Sequence, residues 1–164
     1  MLYNNYAIFG RSQTGKTTFV NQKFVEKFDK KKVFAVDFKQ QIKTDNRFHS
    51  VSLLVQKAKE TKNGLFIIDD GSGILAAGND KVNNDFLFLL NTARHDNNYY
   101  IFVYHDIEYF PARFTAGIHA FIFFAVSNNQ KQISSHIPAF SGTELKIIEK
   151  ERKQGEFICI YKNK

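Results

Sequence analysis

A glycine-rich segment near the amino terminus, Gly10 to Thr17, constrains the fold of this chain more than any other stretch. Its sequence, GRSQTGKT, matches the phosphate-binding pattern G-x-x-x-x-G-K-[ST] at every fixed position. The apolar residues before it are typical of a buried strand end, and Val20, Phe24 and Phe28 after it recur at the spacing of a helix face. We therefore expect a strand, a phosphate loop and a helix in this order.

The residue types of this segment suit the binding of a nucleoside triphosphate. Glycines allow backbone N–H groups to surround a phosphate at the positive end of a helix dipole. Lys16 would reach the β- and γ-phosphates, and the Thr17 hydroxyl would bind Mg²⁺. The residues predicted to bind the nucleotide are Gly10, Arg11, Ser12, Gln13, Thr14, Gly15, Lys16, Thr17 and Thr18. The flanking strand and helix disfavour the alternative, a glycine turn beside a surface lysine.

The length and composition favour one domain that works inside a cell. A chain of 164 residues can bury a proper core but has little room for a second domain, so we predict a single domain over residues 1–164. No apolar run of about 18 residues is present, and no basic segment followed by an apolar one opens the chain. We expect no membrane span, no secretory signal and a cytoplasmic location. Cys159, the single cysteine, is expected to fill the core in the last strand.

The net charge of +7 comes from 23 Lys and Arg against 16 Asp and Glu. Such an excess suits a polyanionic partner such as nucleic acid, although lysines that serve only solubility explain it nearly as well. The basic stretches are Lys30-Lys31-Lys32 and the tail from Lys146 to Lys164. Both are candidate contacts for DNA or a capsid, with a solvated surface as the alternative.

Strands and helices are predicted to alternate along the chain. Apolar runs predict strands at residues 3–9, 33–38, 65–70, 99–104, 120–126 and 156–161, and helical spacing predicts helices at 18–28, 51–58, 81–94 and 144–152. Residues 39–49 and 127–141 are expected to be irregular, and 107–117 to form a loop and short helix broken by Pro111. Residues 71–80 are expected to form a loop near the nucleotide. The alternation predicts a three-layer α/β domain with a mostly parallel sheet.

Two acids, Asp69 and Asp70, close the apolar run at residues 65–68. Phosphoryl transfer needs a metal anchor and a group that activates water, and we expect the anchoring Asp at the end of a buried strand adjacent to the phosphate loop. We assign Asp69 to the metal together with Thr17, and Asp70 as the base that polarises the attacking water. Two acids that cap an exposed turn are the alternative.

Three further polar residues are candidates for catalysis. His105 follows the strand at 99–104, at the edge where ligands bind parallel sheets, so it is placed to contact the γ-phosphate or the attacking water. A surface histidine is the alternative. Arg94 ends the preceding helix, where a cation is favourable in any case. It could instead be an arginine finger that enters a neighbouring subunit's site, and Arg113 is the reserve candidate.

Together these residues resemble the FtsK/HerA superfamily of ring-forming ATPases. The resemblance rests on the phosphate loop, on IIDD at 67–70, on NTARH at 91–95 and on YIFVYH at 100–105, and it extends more weakly over 107–124 and 155–161. In that superfamily an arginine-containing helix end precedes a strand closed by a polar sensor. Two positions depart from the usual pattern, since Asp70 replaces a Glu and His105 replaces the commoner Gln. The small size is similar to the genome-packaging ATPases of tailless icosahedral and poxvirus-like viruses.

The resemblance implies a RecA-like (ASCE) P-loop ATPase with ATP and Mg²⁺ as cofactors. It implies a homomeric ring that moves double-stranded DNA into a capsid, with Lys16, Asp70 and His105 in each site and Arg94 supplied by a neighbour. The implied partners are double-stranded DNA, further copies of this chain and a capsid or portal/vertex protein, in the host cytoplasm or on the virion.

Other nucleotide-dependent functions fit the sequence less well. A GTPase would need an N-K-x-D motif, and a nucleotide kinase would need an arginine-rich lid; the sequence contains neither. A DNA-processing ATPase that does not package DNA remains open. A nucleotide-binding regulator or capsid component without robust turnover remains open as well, because Asp70 is shorter than the usual Glu.

Overall fold

The computed structural model describes residues 4–71 and 80–162, which build one seven-stranded sheet with helices on both faces. The strands are β1 (Asn5–Phe9), β2 (Val33–Val36), β3 (Asn46–Arg47), β4 (Leu65–Ile68), β5 (Tyr99–Tyr104), β6 (Ala120–Phe123) and β7 (Ile158–Tyr161). Their order across the sheet is β3-β2-β4-β5-β1-β6-β7. Every neighbouring pair is parallel except β6 and β7. The predicted α/β fold with a mostly parallel sheet is therefore confirmed.

Five α-helices are bounded within residues 4–71 and 80–162. They are α1 (Lys16–Lys23), α2 (Val51–Lys59), α3 (Asp80–Thr92), α4 (Gln130–His136) and α5 (Gly142–Glu149). Short 3-10 turns lie at Val25–Lys27, Lys30–Lys32, Ile107–Tyr109 and Ala112–Gly117. In the described part of the chain, no helix has the length and apolar character to cross a membrane.

Apolar side chains on both faces of the sheet form two core clusters. The larger one packs β-strand residues against α2, α3, α4 and α5, and the smaller one packs against α1. Phe9 lies at the centre of the larger cluster, with the rings of Tyr104, Phe110, Phe121 and Phe123 at 5.2–6.5 Å. Strands that are buried on both faces appear in the sequence as continuous apolar runs. This explains why most of the strands could be predicted from the sequence.

The structure differs from the sequence predictions at several elements. The first helix ends at Lys23 and continues as a 3-10 turn, so its predicted extent to residue 28 was wrong. The predicted loop at 39–49 contains the edge strand β3, and the predicted irregular stretch at 127–141 contains α4. A capping box between Asn129 and Gln132 starts α4. Residues 72–79, most of the loop predicted near the nucleotide, lie outside the described residues.

The position of β5 in the sheet determines the layout of the candidate site. The strand that ends before Asp69, β4, is not next to the phosphate-loop strand β1, because β5 lies between them. Parallel strands end at the same edge, so the residue after β5, His105, falls between the phosphate loop and the two acids. We call this side of the sheet the carboxyl edge and the opposite side the amino edge.

Candidate nucleotide-binding site

The phosphate loop connects β1 to α1 at the carboxyl edge of the sheet. The geometry of the loop explains why glycine occupies positions 10 and 15. A Cβ on Gly10 would lie 2.7 Å from the Cβ of Phe124, and Gly15 has a left-handed φ of 98° where it caps α1. The Thr14 hydroxyl donates to the carbonyl of Arg11 at 2.8 Å. The loop is therefore fixed in a tight turn against the end of β6.

Lys16 lies across this loop and is almost completely buried, with 5% of its surface exposed. Its Nζ donates to the carbonyl oxygens of Gly10 at 2.6 Å and Arg11 at 2.8 Å. Burial lowers the pKa of Lys16 to about 8, although Asp69 and Asp70 oppose that shift. The ammonium is thus partly desolvated at the place where the motif predicts phosphate contacts.

Asp69 and Thr17 meet where the sequence predicts a metal. The Thr17 hydroxyl lies 3.4 Å from Asp69 Oδ2, and Asp69 Oδ1 accepts the backbone N–H of Asp70 at 3.1 Å. Burial, with a further contribution from Asp37, raises the pKa of Asp69 to about 6. Within residues 4–71 and 80–162, no group of three or more His, Cys, Asp or Glu side chains could hold a metal. Two oxygen ligands still suit Mg²⁺, which usually keeps waters and binds phosphates for the remainder.

Asp70 points to a different part of the cavity from Asp69. Its φ is 58°, the left-handed region that Asp tolerates better than most residues. One carboxylate oxygen lies 3.6 Å from His105 Nε2, and the other lies 3.3 Å from Lys39 Nζ. The acid assigned to water activation is therefore held between two nitrogen groups at the cavity wall.

His105 connects the two halves of the site. Its Nδ1 lies 3.2 Å from Lys16 Nζ, and its Nε2 faces Asp70. Since the Lys16 ammonium can only donate, Nδ1 accepts and the ring carries its proton on Nε2. Burial and the nearby charge of Lys16 lower the pKa of His105, in agreement with a neutral ring. A neutral ring with its N–H toward the acid is suited to sense or position a group beside Asp70.

The structure adds residues that the sequence motifs did not single out. The loop after β2 brings Asp37, Lys39 and Gln41 to the cavity wall, and Gln154 reaches the cavity from the carboxyl-terminal segment. The Gly155 N–H donates to the carbonyl of Thr14 at 3.0 Å, which joins that segment to the phosphate loop. Asp37 directly follows β2, whereas the predicted strand at 33–38 included it. A polar residue near the end of a predicted strand was the signal that could have placed Asp37 at the carboxyl edge.

The two arginines considered as finger candidates lie away from this cavity. Arg94 is exposed at the amino edge, with its guanidinium NH2 3.4 Å from His119 Nε2. The six residues of β5 separate it from His105, a length of roughly 20 Å. Arg113 NH1 lies 3.5 Å from Asn84 Oδ1. Neither arginine is placed to serve the site of its own subunit.

The two predicted basic stretches are also largely at the surface. Lys30 and Lys31 are exposed in a 3-10 turn before β2, at the amino edge. Lys162 Nζ lies 3.6 Å from Glu144 and over the ring of Phe140. Cys159 lies in the last strand, β7, as predicted, but it is half-buried and packs against the smaller core cluster instead of filling the core.

The sheet order and the loop at the carboxyl edge of β1 define a chain with the P-loop ATPase fold. No family model and no curated protein matches the chain. Among solved structures, it is similar to the genome-packaging NTPase B204 of Sulfolobus turreted icosahedral virus 2 in complex with AMPPCP. The TM-score is 0.72 at 13% identity, over 97% of this chain and 92% of that one.

Two further structures extend the comparison. B204, the DNA-packaging ATPase of Sulfolobus turreted icosahedral virus, gives a TM-score of 0.68 at 15% identity, over 96% of this chain and 92% of that one. The cytoplasmic domain of the type VII secretion ATPase EccC from Thermomonospora curvata gives 0.56 at 12% identity, over 79% of this chain and 20% of that one. The predicted resemblance to viral packaging ATPases is thus confirmed at the level of the fold.

Proposed function

We propose that this chain is an Mg²⁺-dependent ATPase that acts as a homomeric ring and translocates double-stranded DNA into a viral capsid. The observation that supports it best is the convergence of Lys16, Thr17, Asp69, Asp70 and His105 at one edge of a sheet whose order is that of P-loop ATPases. Phosphate binding, metal binding and water activation are the three tasks of ATP hydrolysis. Each has a residue of the required chemistry in place.

The residues divide these tasks by their positions. Lys16, held across the phosphate loop, binds the β- and γ-phosphates, and the backbone N–H groups of the loop surround them. Thr17 and Asp69 would hold Mg²⁺, which neutralises phosphate charge when it is bound. Asp70 orients the attacking water and accepts its proton, while the His105 N–H positions the Asp70 carboxylate or the γ-phosphate.

The position of Arg94 supports the proposed ring. Because this side chain lies at the amino edge, it can stabilise transition-state charge only on a nucleotide held by another subunit. DNA contacts would come from basic side chains that bind phosphates without reading the sequence, and Lys30-Lys31-Lys32 are candidates. A capsid or portal protein is the expected further partner.

ATP hydrolysis across a protein concentration series, with and without double-stranded DNA, tests the proposal. Specific activity that rises with both protein and DNA supports a ring with sites completed by neighbours. Specific activity that changes with neither protein nor DNA concentration would indicate a monomeric NTPase and contradict both the ring and the translocation.

Two substitutions test nucleotide binding and ATP hydrolysis separately. Lys16→Ala is expected to abolish nucleotide binding. Arg94→Ala is expected to retain ATP binding and lose roughly 10³-fold in turnover, as expected for a missing arginine finger. Arg113→Ala is the matched control, and full turnover in Arg94→Ala with loss in Arg113→Ala would transfer the finger role to Arg113.

A nucleotide-binding regulator without robust turnover is the second candidate. It is favoured by the contacts of Asp70, whose two oxygens face Lys39 and His105. A base held in this way would not activate water unless those contacts change. Tight ATP binding without turnover, at every protein and DNA concentration, would support this candidate over the motor.

A further inference from the structure

Lys39 is a charged residue of the cavity outside the phosphate-loop motif. Its side chain lines the cavity at the phosphate loop together with Lys16 and His105, and it also lines the adjoining cavity at Asp69 and Asp70. Its Nζ lies 3.3 Å from Asp70 Oδ2. Lys39 is therefore, together with Lys16, one of two lysines that line these cavities in the described part of the chain.

Buried polar groups hold the backbone that carries Lys39. The Asp37 carboxylate, 5% exposed, accepts the N–H of Lys39 at 3.1 Å and the N–H of Ile42 at 2.7 Å. The side chain of Asn21 in α1 bonds to backbone groups of residues 41 and 43, each at 2.9 Å. Since α1 begins in the phosphate loop, the position of Lys39 is set relative to that loop.

The carboxylates of the cavity favour a cation at the position of Lys39. Asp37, Asp69 and Asp70 all line it, and a γ-phosphate adds further negative charge. The pair between Lys39 and Asp70 is weak, because their side chains are 57% and 37% exposed and exposed ion pairs contribute little. Lys39 can therefore leave Asp70 at small cost when a stronger anion is present.

We propose that Lys39 is a catalytic residue that binds the γ-phosphate in its own subunit and pairs with Asp70 before nucleotide binds. Its move to the γ-phosphate leaves the Asp70 carboxylate able to accept a proton. The water oxygen then bonds to the γ-phosphorus as the bond to the bridging oxygen breaks, and that electron pair stays on ADP. The water proton passes to Asp70 and then to the released phosphate. Lys39 neutralises the γ-phosphoryl oxygens during this step.

This role rests on the proposed nucleotide hydrolysis but needs neither DNA nor a ring. It also differs from the role of Arg94, since Lys39 acts on the nucleotide of its own subunit. A residue that binds only the terminal phosphate affects the affinity for triphosphates and diphosphates differently. Its loss should weaken triphosphate binding and leave diphosphate binding unchanged.

The test is Lys39→Ala, with Lys43→Ala as the matched control. Lys43 lies in the same loop, its side chain is 66% exposed, and its Nζ pairs with Glu26 at 3.1 Å instead of with the cavity. In Lys39→Ala we expect kcat to fall about 10²-fold. Affinity for AMPPCP with Mg²⁺, measured by calorimetry, should fall about tenfold, with ADP affinity within about twofold of wild type. Lys43→Ala should match wild type throughout, and Lys39→Arg should regain part of the loss.

Several results would overturn the role of Lys39. Wild-type turnover and wild-type AMPPCP affinity in Lys39→Ala would exclude a γ-phosphate contact. Faster turnover would show that Lys39 only restrains Asp70, and equal losses of AMPPCP and ADP affinity would place its effect elsewhere on the nucleotide. A wild-type protein that neither binds AMPPCP nor hydrolyses ATP would refute the proposed function and this role together. Active wild type with an unaffected Lys39→Ala refutes the role alone.

Discussion

Raising the pH from about 7 to about 9 is expected to weaken ATP binding roughly tenfold, because Lys16 loses its proton in this range. Burial of the ammonium places the pKa of Lys16 at about 8, below its ordinary value of 10.5. Phosphate oxygens favour the protonated ammonium, so ATP binds that form. Asp69 changes protonation at lower pH, with a pKa of about 6, and burial lowers the pKa of His105 from its ordinary value, so neither group obscures the effect.

The size of the effect follows from the fraction of Lys16 that is protonated. A group with a pKa of about 8 is about nine-tenths protonated at pH 7 and about one-tenth at pH 9. The ratio of these fractions is close to ten, which corresponds to about 1.4 kcal/mol. At pH 8, where about half of the protein lacks the proton, binding of one ATP should take up roughly half a proton.

Calorimetry measures both quantities. Affinity for AMPPCP is determined between about pH 7 and about pH 9, and proton uptake follows from titrations in two buffers of different ionisation enthalpy. A change in affinity below about twofold, together with no uptake near pH 8, would refute the desolvated state of Lys16. The contribution of Lys16 to folding stability changes with pH in the opposite direction to ATP affinity. Because the folded pKa lies below the unfolded one, Lys16 adds stability as pH rises from about 8 to 10.5.

Two further predictions concern the stability of the fold. Gly71→Ala should lower the free energy of unfolding by about 1–3 kcal/mol, because its Cβ would lie 2.8 Å from the ring of Tyr104. Gly142→Ala, with nothing within 4 Å, should change it by less than about 1 kcal/mol in the same urea titration. Asn98→Ala should lower it by about 2–3 kcal/mol, since buried Asn98 accepts the Gly64 N–H at 2.9 Å. Unfolding midpoints within error of wild type for Gly71→Ala or Asn98→Ala would contradict these contacts.

The parts of the structure that local sequence determines were predicted well. Strands buried on both faces leave long apolar runs, and the phosphate loop has a fixed spacing, so both were recognised. The helix α4 was missed because Ile133 is the single apolar residue between Gln130 and His136, so no helical spacing of apolar residues was visible. Its capping box from Asn129 to Gln132 was the local signal that could have located it.

The position of Lys39 could not be predicted in this way. It depends on Asp37 and Asn21, whose buried side chains hold the loop after β2 against α1. Neither residue type signals such a contact by itself. The same holds for β5, whose place between β1 and β4 is a matter of strand order, and no local pattern encodes that order. The catalytic roles of Asp70, Arg94 and His105 stay predictions.

The segment that contains the antiparallel strand β7 makes backbone hydrogen bonds at both the carboxyl and the amino edge of the sheet. Three residues before β7, the Gly155 N–H donates to the carbonyl of Thr14 in the phosphate loop, and directly after β7 the Lys162 N–H donates to the carbonyl of His119, both at 3.0 Å. The seven steps between these eight residues span roughly 23 Å in extended conformation. His119 in turn contacts Arg94. A shift of this segment along its own axis would therefore move groups at the phosphate loop and beside Arg94 together. In the proposed ring, such a shift would link the nucleotide of one subunit to the surface that faces the next.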